Sequence, residues 1–368
     1  MKYTVLILGK LPPPFMGPSI ATSILLNSEL KSNFNLIHLD TRAHKDINQL
    51  GKIRFNKLFK NISIYFKLYK LITREQPDLV LIPISQTNIG FIKDSFFIWV
   101  CRLKGAKVLI QLRGSGFRHW VENTQTVVRK YVDYTLSYPK GVIVLGEKLR
   151  YLFENYFKNE QIHVAPNGAN YELPAHNYTS DHPVRLIYLA NLQSSKGIED
   201  VIEAMIFLKK ITEFPFTLDV VGNWRNRETE HRCKLMVTKN QLPVTFHGPA
   251  TGQDKFEFLM NSEVFIFTPR ESEGHPWVII EAMAAGLPII STDQGAITES
   301  VIDGMNGFIV DSKSPKQIAD RCFSLISNHT KRHEMGSISR SHYLKNFTES
   351  KLVDNYTNIF KKAISYNS

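Results

Sequence analysis

The chain has 368 residues, 43% hydrophobic and 21% charged, which is longer than one hydrophobic core supports and excludes a disordered or fibrous chain. Its net charge of +11 is uneven: basic residues exceed acidic ones by 13 in residues 1–170, while acidic residues exceed basic ones by 2 in residues 171–368. Cys101, Cys233 and Cys322 lie too far apart for a CxxC pair or a disulfide framework, and no run of about 18 apolar residues offers a membrane span, so a cytoplasmic address is expected.

The amino terminus, MKYTVLILGKLPPPF, has too short an apolar run for a signal-peptide core and reads as a buried strand cut off by Pro12, Pro13 and Pro14. Next comes GPSIATSILLNSEL, a helical stretch opened by Gly17, either a plain turn glycine or a point of close backbone approach to a ligand. The strands expected in the first half are YTVLILG, FNLIHL, DLVLIPI, AKVLIQL and GVIVLG.

Residues 52–75 carry a helical pattern with Phe55, Leu58, Phe59, Ile62, Phe66 and Tyr69 on one side and Lys57, Lys60, Lys67, Lys70 and Arg74 on another. The apolar side is expected to pack on the sheet. The basic side is expected to meet an anionic lipid leaflet, each residue near the surface adding about 1 kcal/mol. A basic first half would also suit a phosphorylated acceptor or nucleic acid, but no nucleic-acid-binding motif or aromatic–basic interleaving is present.

The polar, turn-rich segment IHVAPNGANYELPAHNYTSDHPVR places a boundary near residues 170–182, dividing the chain into domains 1–172 and 173–349. In the second half the expected strands are VRLIYLA, FTLDVVG, VTFHG, EVFIFTP and LPIIST. Each half reads as a doubly wound α/β unit, and two such units are expected to face a central cleft.

The densest chemistry lies in FTPRESEGHPWVIIEAMAAGLPIIST, from Phe267 to Thr292. Pro276 suits a first helical position, and Gly286 followed by Pro288 ends the run, predicting a helix of about ten residues. Glu281 sits within it among Val278, Ile279, Ile280, Ala282 and Met283, where a carboxylate is costly without hydrogen-bond partners. A ribose diol supplies two donors. Glu273 lies just before the helix, placed to meet sugar hydroxyls. Beside it Gly274, His275, Pro276 and Trp277 border the helix start, whose free N–H groups and dipole can receive a diphosphate.

This segment resembles the E-x7-E region of retaining glycosyltransferases of family 4, with Glu273 and Glu281 as the two acids, continuing into DQGAITESVIDGMNGFIV. LIYLANLQSSKGIEDVIEA is similar to the opening of the family's second domain, with Lys196 and Gly197 at its Lys-Gly pair. The resemblance implies a GT-B fold: two Rossmann-like domains, the donor held by the second, the acceptor by the first, and a C-terminal helix (350–368) returning to the first. It also implies retaining, metal-independent transfer, with no cofactor, from a UDP- or GDP-sugar to a glycan or polyprenyl-diphosphate-linked acceptor in bacterial surface polysaccharide synthesis. Glu281 would fix the ribose, Glu273 the sugar, and Lys196 the leaving charge, since no D-x-D metal motif is present.

The chain departs from the family pattern at three points. Asn191 stands where an arginine usually precedes the lysine; Arg270, near Ser272, is read as a rim residue, with compensation for that arginine as its alternative role. Arg113 stands where relatives carry histidine and is assigned to the donor sugar or phosphate, with His119 as the alternative. Pro276 stands where many relatives have glycine, removing one N–H from the helix start. Competing readings are a sugar-nucleotide epimerase of the same architecture, a phosphorylase, for whose pyridoxal phosphate lysine no motif is seen, and a nucleic-acid-binding protein.

Overall fold

The computed structural model describes residues 2–13, 16–42, 54–174 and 183–365, with 54–62 described by backbone alone. The chain forms two compact units, Met1–Asn167 with Glu349–Ser368, and Gly168–Thr348. Among the described residues no helix is long and apolar enough to cross a membrane.

The first unit holds strands β1 (Thr4–Gly9), β2 (Asn35–Asp40), β3 (Leu79–Ile84), β4 (Val108–Leu112), β5 (Gly141–Val144) and β6 (Ile162–Val164), in the order β2-β1-β3-β4-β5-β6. Every pairing is parallel. Its helices are α1 (Gly17–Asn27), α2 (Leu30–Asn33), α3 (Arg54–Glu75), α4 (Asn88–Leu103), α5 (Phe117–Glu122) and α6 (Thr126–Leu136). Unbroken apolar runs such as Val5–Leu8 and Leu79–Ile82 are fully buried, as a parallel sheet covered on both faces requires. β6 falls inside the stretch read from sequence as turn-rich, because its three residues are too few to show periodicity.

Helix α3 corrects the expected apolar side. Its buried stripe is Ile64, Leu68 and Ile72, spaced by four, while Phe66 and Tyr69 are 57% and 42% exposed. At about 100° per residue, positions 66 and 69 rotate off that stripe. The two rings instead lie beside cations, Lys70 Nζ 4.6 Å from the Phe66 centroid and Lys104 Nζ 4.0 Å from that of Tyr69. The readings made on Phe55, Lys57, Leu58, Phe59, Lys60 and Ile62 fall outside the described side chains.

The second unit holds β7 (Val184–Leu189), β8 (Phe216–Val221), β9 (Val244–Gly248), β10 (Val264–Phe267), β11 (Ile289–Thr292) and β12 (Gly307–Val310), again all parallel, in the order β12-β11-β10-β7-β8-β9. This is the doubly wound order of dinucleotide-binding sheets, and the winding direction reverses between β7 and β10. The helices are α7 (Ile198–Ile211), α8 (Arg227–Lys239), α9 (Gly252–Met260), α10 (Trp277–Ala284), α11 (Ile297–Ser300), α12 (Pro315–Ile326) and α13 (His329–Asn346). Pro276 is not the first residue of α10 but its cap, because its extended backbone (φ −68°, ψ 128°) lies outside the helical region; α10 is eight residues long.

The last helix, α14 (Glu349–Ser365), belongs to the first unit. Its residues Leu352, Tyr356, Ile359 and Phe360 complete a core with Val5, Ile7, Leu25 and Phe34, and the Phe34 and Phe360 rings meet edge to face at 5.5 Å.

Candidate functional site

In an open α/β sheet, ligands bind beyond the carboxyl ends of the strands where the winding reverses. In the second unit that point lies between β7 and β10, and the loops leaving these strands bring Lys196 and Glu273 together. Lys196 ends a short 3-10 turn (Ser194–Lys196), and its ammonium donates to the Glu273 carboxylate. The pair is largely sheltered, with side chains 25% and 15% exposed.

Backbone chemistry fixes both loops. Gly197 has φ +80°, and a Cβ there would lie 1.9 Å from the Thr268 carbonyl oxygen, so only glycine lets the β7 loop pass the end of β10. The Arg270 N–H donates to Ser195 O at 2.9 Å, tying one loop to the other, and Tyr188 Oη donates to Lys196 O at 2.8 Å. Gly295, with φ +60°, packs so closely on Glu273 that a Cβ would reach 1.6 Å from its carbonyl oxygen. Burial pushes the Glu273 carboxyl above its ordinary range, against the lowering pull of Lys196.

Glu281 lies mid-way along α10 and is buried. Its carboxylate accepts from Lys255 Nζ of α9 at 2.5 Å and from Tyr171 Oη at 3.5 Å. The cost of burying this charge is thus met, without ligand, by a lysine and a phenol. Burial drives the Tyr171 hydroxyl well above its usual range, with the Glu281 charge adding to the effect, so it stays a donor. Neither partner was singled out from the sequence.

Nor was Arg225, in the loop after β8. Its Nη2 and Nε donate to Asn191 Oδ1 at 2.9 and 3.2 Å. The amide that stands where the family has arginine therefore holds a guanidinium from the neighbouring loop. Arg270 is committed elsewhere: its Nε and Nη2 each reach an Asp200 oxygen at 2.7 Å, and its Nη1 reaches Glu199 at 2.9 Å. A compensating phosphate role for Arg270 is therefore corrected, since its fork is already filled by carboxylates.

The residues at the start of α10 divide. Gly274 accepts from the Ala296 N–H at 2.9 Å, and Trp277 opens the helix half-buried. The His275 ring turns inward, with Nε2 2.7 Å from Ser300 Oγ and its centroid 5.1 Å from that of Phe347. Burial lowers its pKa from 6.5 to about 3.

In the first unit the winding reverses between β1 and β3, and a cavity of about 420 Å³ lies there. Lys10 follows β1, Ser85 follows β3, and Arg113 follows β4, all lining it with Lys93 and Asp94 of α4. Arg113 Nη1 donates to Asn167 Oδ1 at 3.0 Å, and Nη2 lies 3.4 Å from Tyr356 Oη of α14. Met16, Pro18 and Ser19, which flank Gly17 at the start of α1, also line the cavity. His119 is exposed on α5, Nδ1 3.1 Å from the Asn123 amide, and does not line it.

Residues 169–342 match the family described as Glycosyl transferases group 1. An uncharacterised glycosyltransferase of Methanocaldococcus jannaschii is 23% identical over 319 residues, covering 82% of this chain and 78% of that protein. The capsular polysaccharide biosynthesis glycosyltransferase CapM of Staphylococcus aureus is 28% identical over 163 residues, 44% of this chain and 41% of that protein. Among solved structures, Anabaena HepE in complex with UDP and glucose superposes with a TM-score of 0.71 at 15% identity, covering 98% of this chain and 99% of that one. The fold is the expected GT-B fold.

Proposed function

We propose that this chain, a glycosyltransferase, moves a sugar from a UDP- or GDP-sugar to a glycan acceptor with retention of configuration and without a metal. The observation that carries the reading is the Lys196–Glu273 pair at the β7/β10 reversal, on the loop that leads into the helix of the buried Glu281. Bound UDP in HepE supports the donor class, and the name of CapM, a capsular polysaccharide biosynthesis glycosyltransferase, supports a glycan acceptor of surface polysaccharide assembly; that the acceptor is lipid-linked and met at the cytoplasmic membrane face is part of the proposal.

In this reading the ribose hydroxyls donate to Glu281, displacing Lys255 from one of its oxygens. Glu273 accepts from sugar hydroxyls, and Lys196 turns from Glu273 to the diphosphate. Arg225, held by Asn191, brings the second positive charge that the missing arginine leaves open. The bond from the anomeric carbon to the phosphate oxygen breaks while the acceptor oxygen bonds from the same face. The acceptor proton passes to the departing phosphate oxygen. Preorganised cations stabilise that oxygen as its charge grows. Arg113, in the first unit, is the residue this reading assigns to the donor sugar or phosphate.

The test is donor binding and turnover in Glu281→Gln. The neutral amide keeps the shape but weakens the charge-assisted bonds to the ribose by about 1.5–3 kcal/mol each. A loss of at least about tenfold in UDP affinity is expected, together with a cooperative melt at a lower temperature, because Lys255 loses its counter-charge. Unchanged UDP affinity would reject the ribose assignment.

A further inference from the structure

Two acids open α7, Glu199 and Asp200, three and four residues beyond Lys196. Acids suit a helix start, but these two stand beside the strand ends where the proposed diphosphate binds, and their charge would oppose it. Each is answered by arginine. Asp200 is buried, and both its oxygens accept from Arg270, from Nε and Nη2 at 2.7 Å each. Glu199 accepts from Arg270 Nη1 at 2.9 Å and from Arg232 Nη2 of α8 at 2.6 Å. Two guanidiniums thus meet two carboxylates, and the charge of Lys196 is left to Glu273.

The cluster does more than balance charge. Asp200 belongs to a helix turn whose neighbours Ile198, Val201 and Ile202 lie in the core, so its carboxylate is a fixed point. Arg270 carries the loop after β10 to that point across 70 positions of sequence. A guanidinium bound to one carboxylate through two nitrogens is set in direction as well as in distance. The backbone adds a parallel tie, from the Arg270 N–H to Ser195 O at 2.9 Å. Ser195 directly precedes Lys196, and Glu273 lies three residues past Arg270. The fork therefore joins the two loops close to both members of the Lys196–Glu273 pair. A lysine is a compact charge on a flexible stem, so its loop decides where that charge is held. A misplacement of about 1 Å in a catalytic group can cost about a hundredfold in rate.

We infer that Arg270 is a positioning residue, which through its fork on Asp200 sets Lys196 for the diphosphate of the donor. The inference rests on the reading of Lys196 as the cation of the leaving diphosphate. Arg270 acts at one remove, because each of its three guanidinium nitrogens holds a carboxylate oxygen.

The experiment is calorimetric titration of the full chain with UDP and GDP, and with uridine and guanosine, which lack the diphosphate. The ratio of nucleoside diphosphate to nucleoside affinity reads the diphosphate contacts alone. Arg270→Gln and Asp200→Asn should each shrink that ratio by at least about fivefold, while the nucleoside binds as it does to the parent, which shows that the fold is kept. Arg270→Lys, charged but without the fork, should not restore it. Altered charge alone would move the two variants in opposite directions, since Gln removes a positive charge and Asn a negative one. Lys196→Ala should shrink the ratio too, and adding either fork substitution to it should shrink the ratio no further, because a positioning residue acts only through the group it places. Opposite changes in the two fork variants, full retention in Arg270→Lys, or equal losses with Lys196 present and absent overturn the inference alone. A parental ratio in Lys196→Ala, or no binding of either nucleoside diphosphate, removes the donor reading of Lys196 and the inference with it.

Discussion

Arg225, held by Asn191, brings a positive charge to the β7 loop from outside the motif. The guanidinium reaches the place through a bond across 34 positions of sequence, so no local pattern announces it. Arg225→Ala should raise the KM for the nucleotide sugar by about ten- to a hundredfold, the weight of one charged contact to a phosphate. Arg225→Lys should recover only part, since an ammonium lacks the planar fork held by Asn191. Steady-state kinetics over donor concentration decide this; an unchanged KM in Arg225→Ala would leave the arginine as a surface contact. Glu273, Glu281 and Lys196 were legible because each lies within one element of a recognisable strand end. Lys255 and Tyr171 were not: they approach Glu281 from 26 and 110 positions away, and only the folded chain brings them there. Sequence reasoning identified the buried acid's need for partners without identifying the partners.

At the scale of elements, α10 illustrates a helix start built partly for packing. His275, just before its cap, is neutral in the fold because burial lowers its pKa from 6.5 to about 3. The unfolded chain takes up a proton below about pH 6.5 while the folded chain does not, so stability is lost as pH falls through the window from 6.5 toward 3. At pH 5 this costs about 2 kcal/mol. Glu273 acts in the opposite sense: its folded pKa is raised above 4.5, so protonation there favours the fold, and stability falls as pH rises through that raised value. Comparing His275→Gln with the parent isolates the imidazole. The melting temperature should fall less between pH 7 and pH 5 in the variant, and equal falls would show that the imidazole does not govern the response. Longer strands such as β1, β3 and β8 were readable from apolar runs. β6 and β12 were not read as strands: β6 has only three residues and opens a turn-rich stretch, and β12 follows the turn-forming run Asp303–Asn306, whereas the equally short β5, β10 and β11 were read. In the described part of α3, Lys67, Lys70 and Arg74 are exposed as read while Phe66 and Tyr69 were misplaced, since at helical spacing a ring beside a lysine looks the same whether it faces core or solvent.

For the whole molecule, charge is the property with the widest reach. The excess of 13 basic residues in positions 1–170 includes the exposed Lys67, Lys70 and Arg74, and α3 sets the exposed rings of Phe66 and Tyr69 among them. Exposed rings with cations over their faces suit the boundary of an anionic bilayer, where each basic residue contributes about 1 kcal/mol. Lys67→Glu/Lys70→Glu should therefore reduce co-sedimentation with phosphatidylglycerol-containing vesicles by at least about tenfold, and added salt should do the same to the parent chain. Equal sedimentation of parent and variant would place the basic face in solvent alone.

The first unit is assembled from two separated stretches of chain, with Gly168–Thr348 between them. During synthesis, β1 to β6 emerge long before Tyr356 and Phe360, the residues that fill the space beside Val5, Ile7 and Phe34. The second unit is contiguous and can fold as soon as it leaves the ribosome, whereas the first waits with an apolar face uncovered until α14 follows. The order of translation thus runs opposite to the order of completion: the unit made first is finished last.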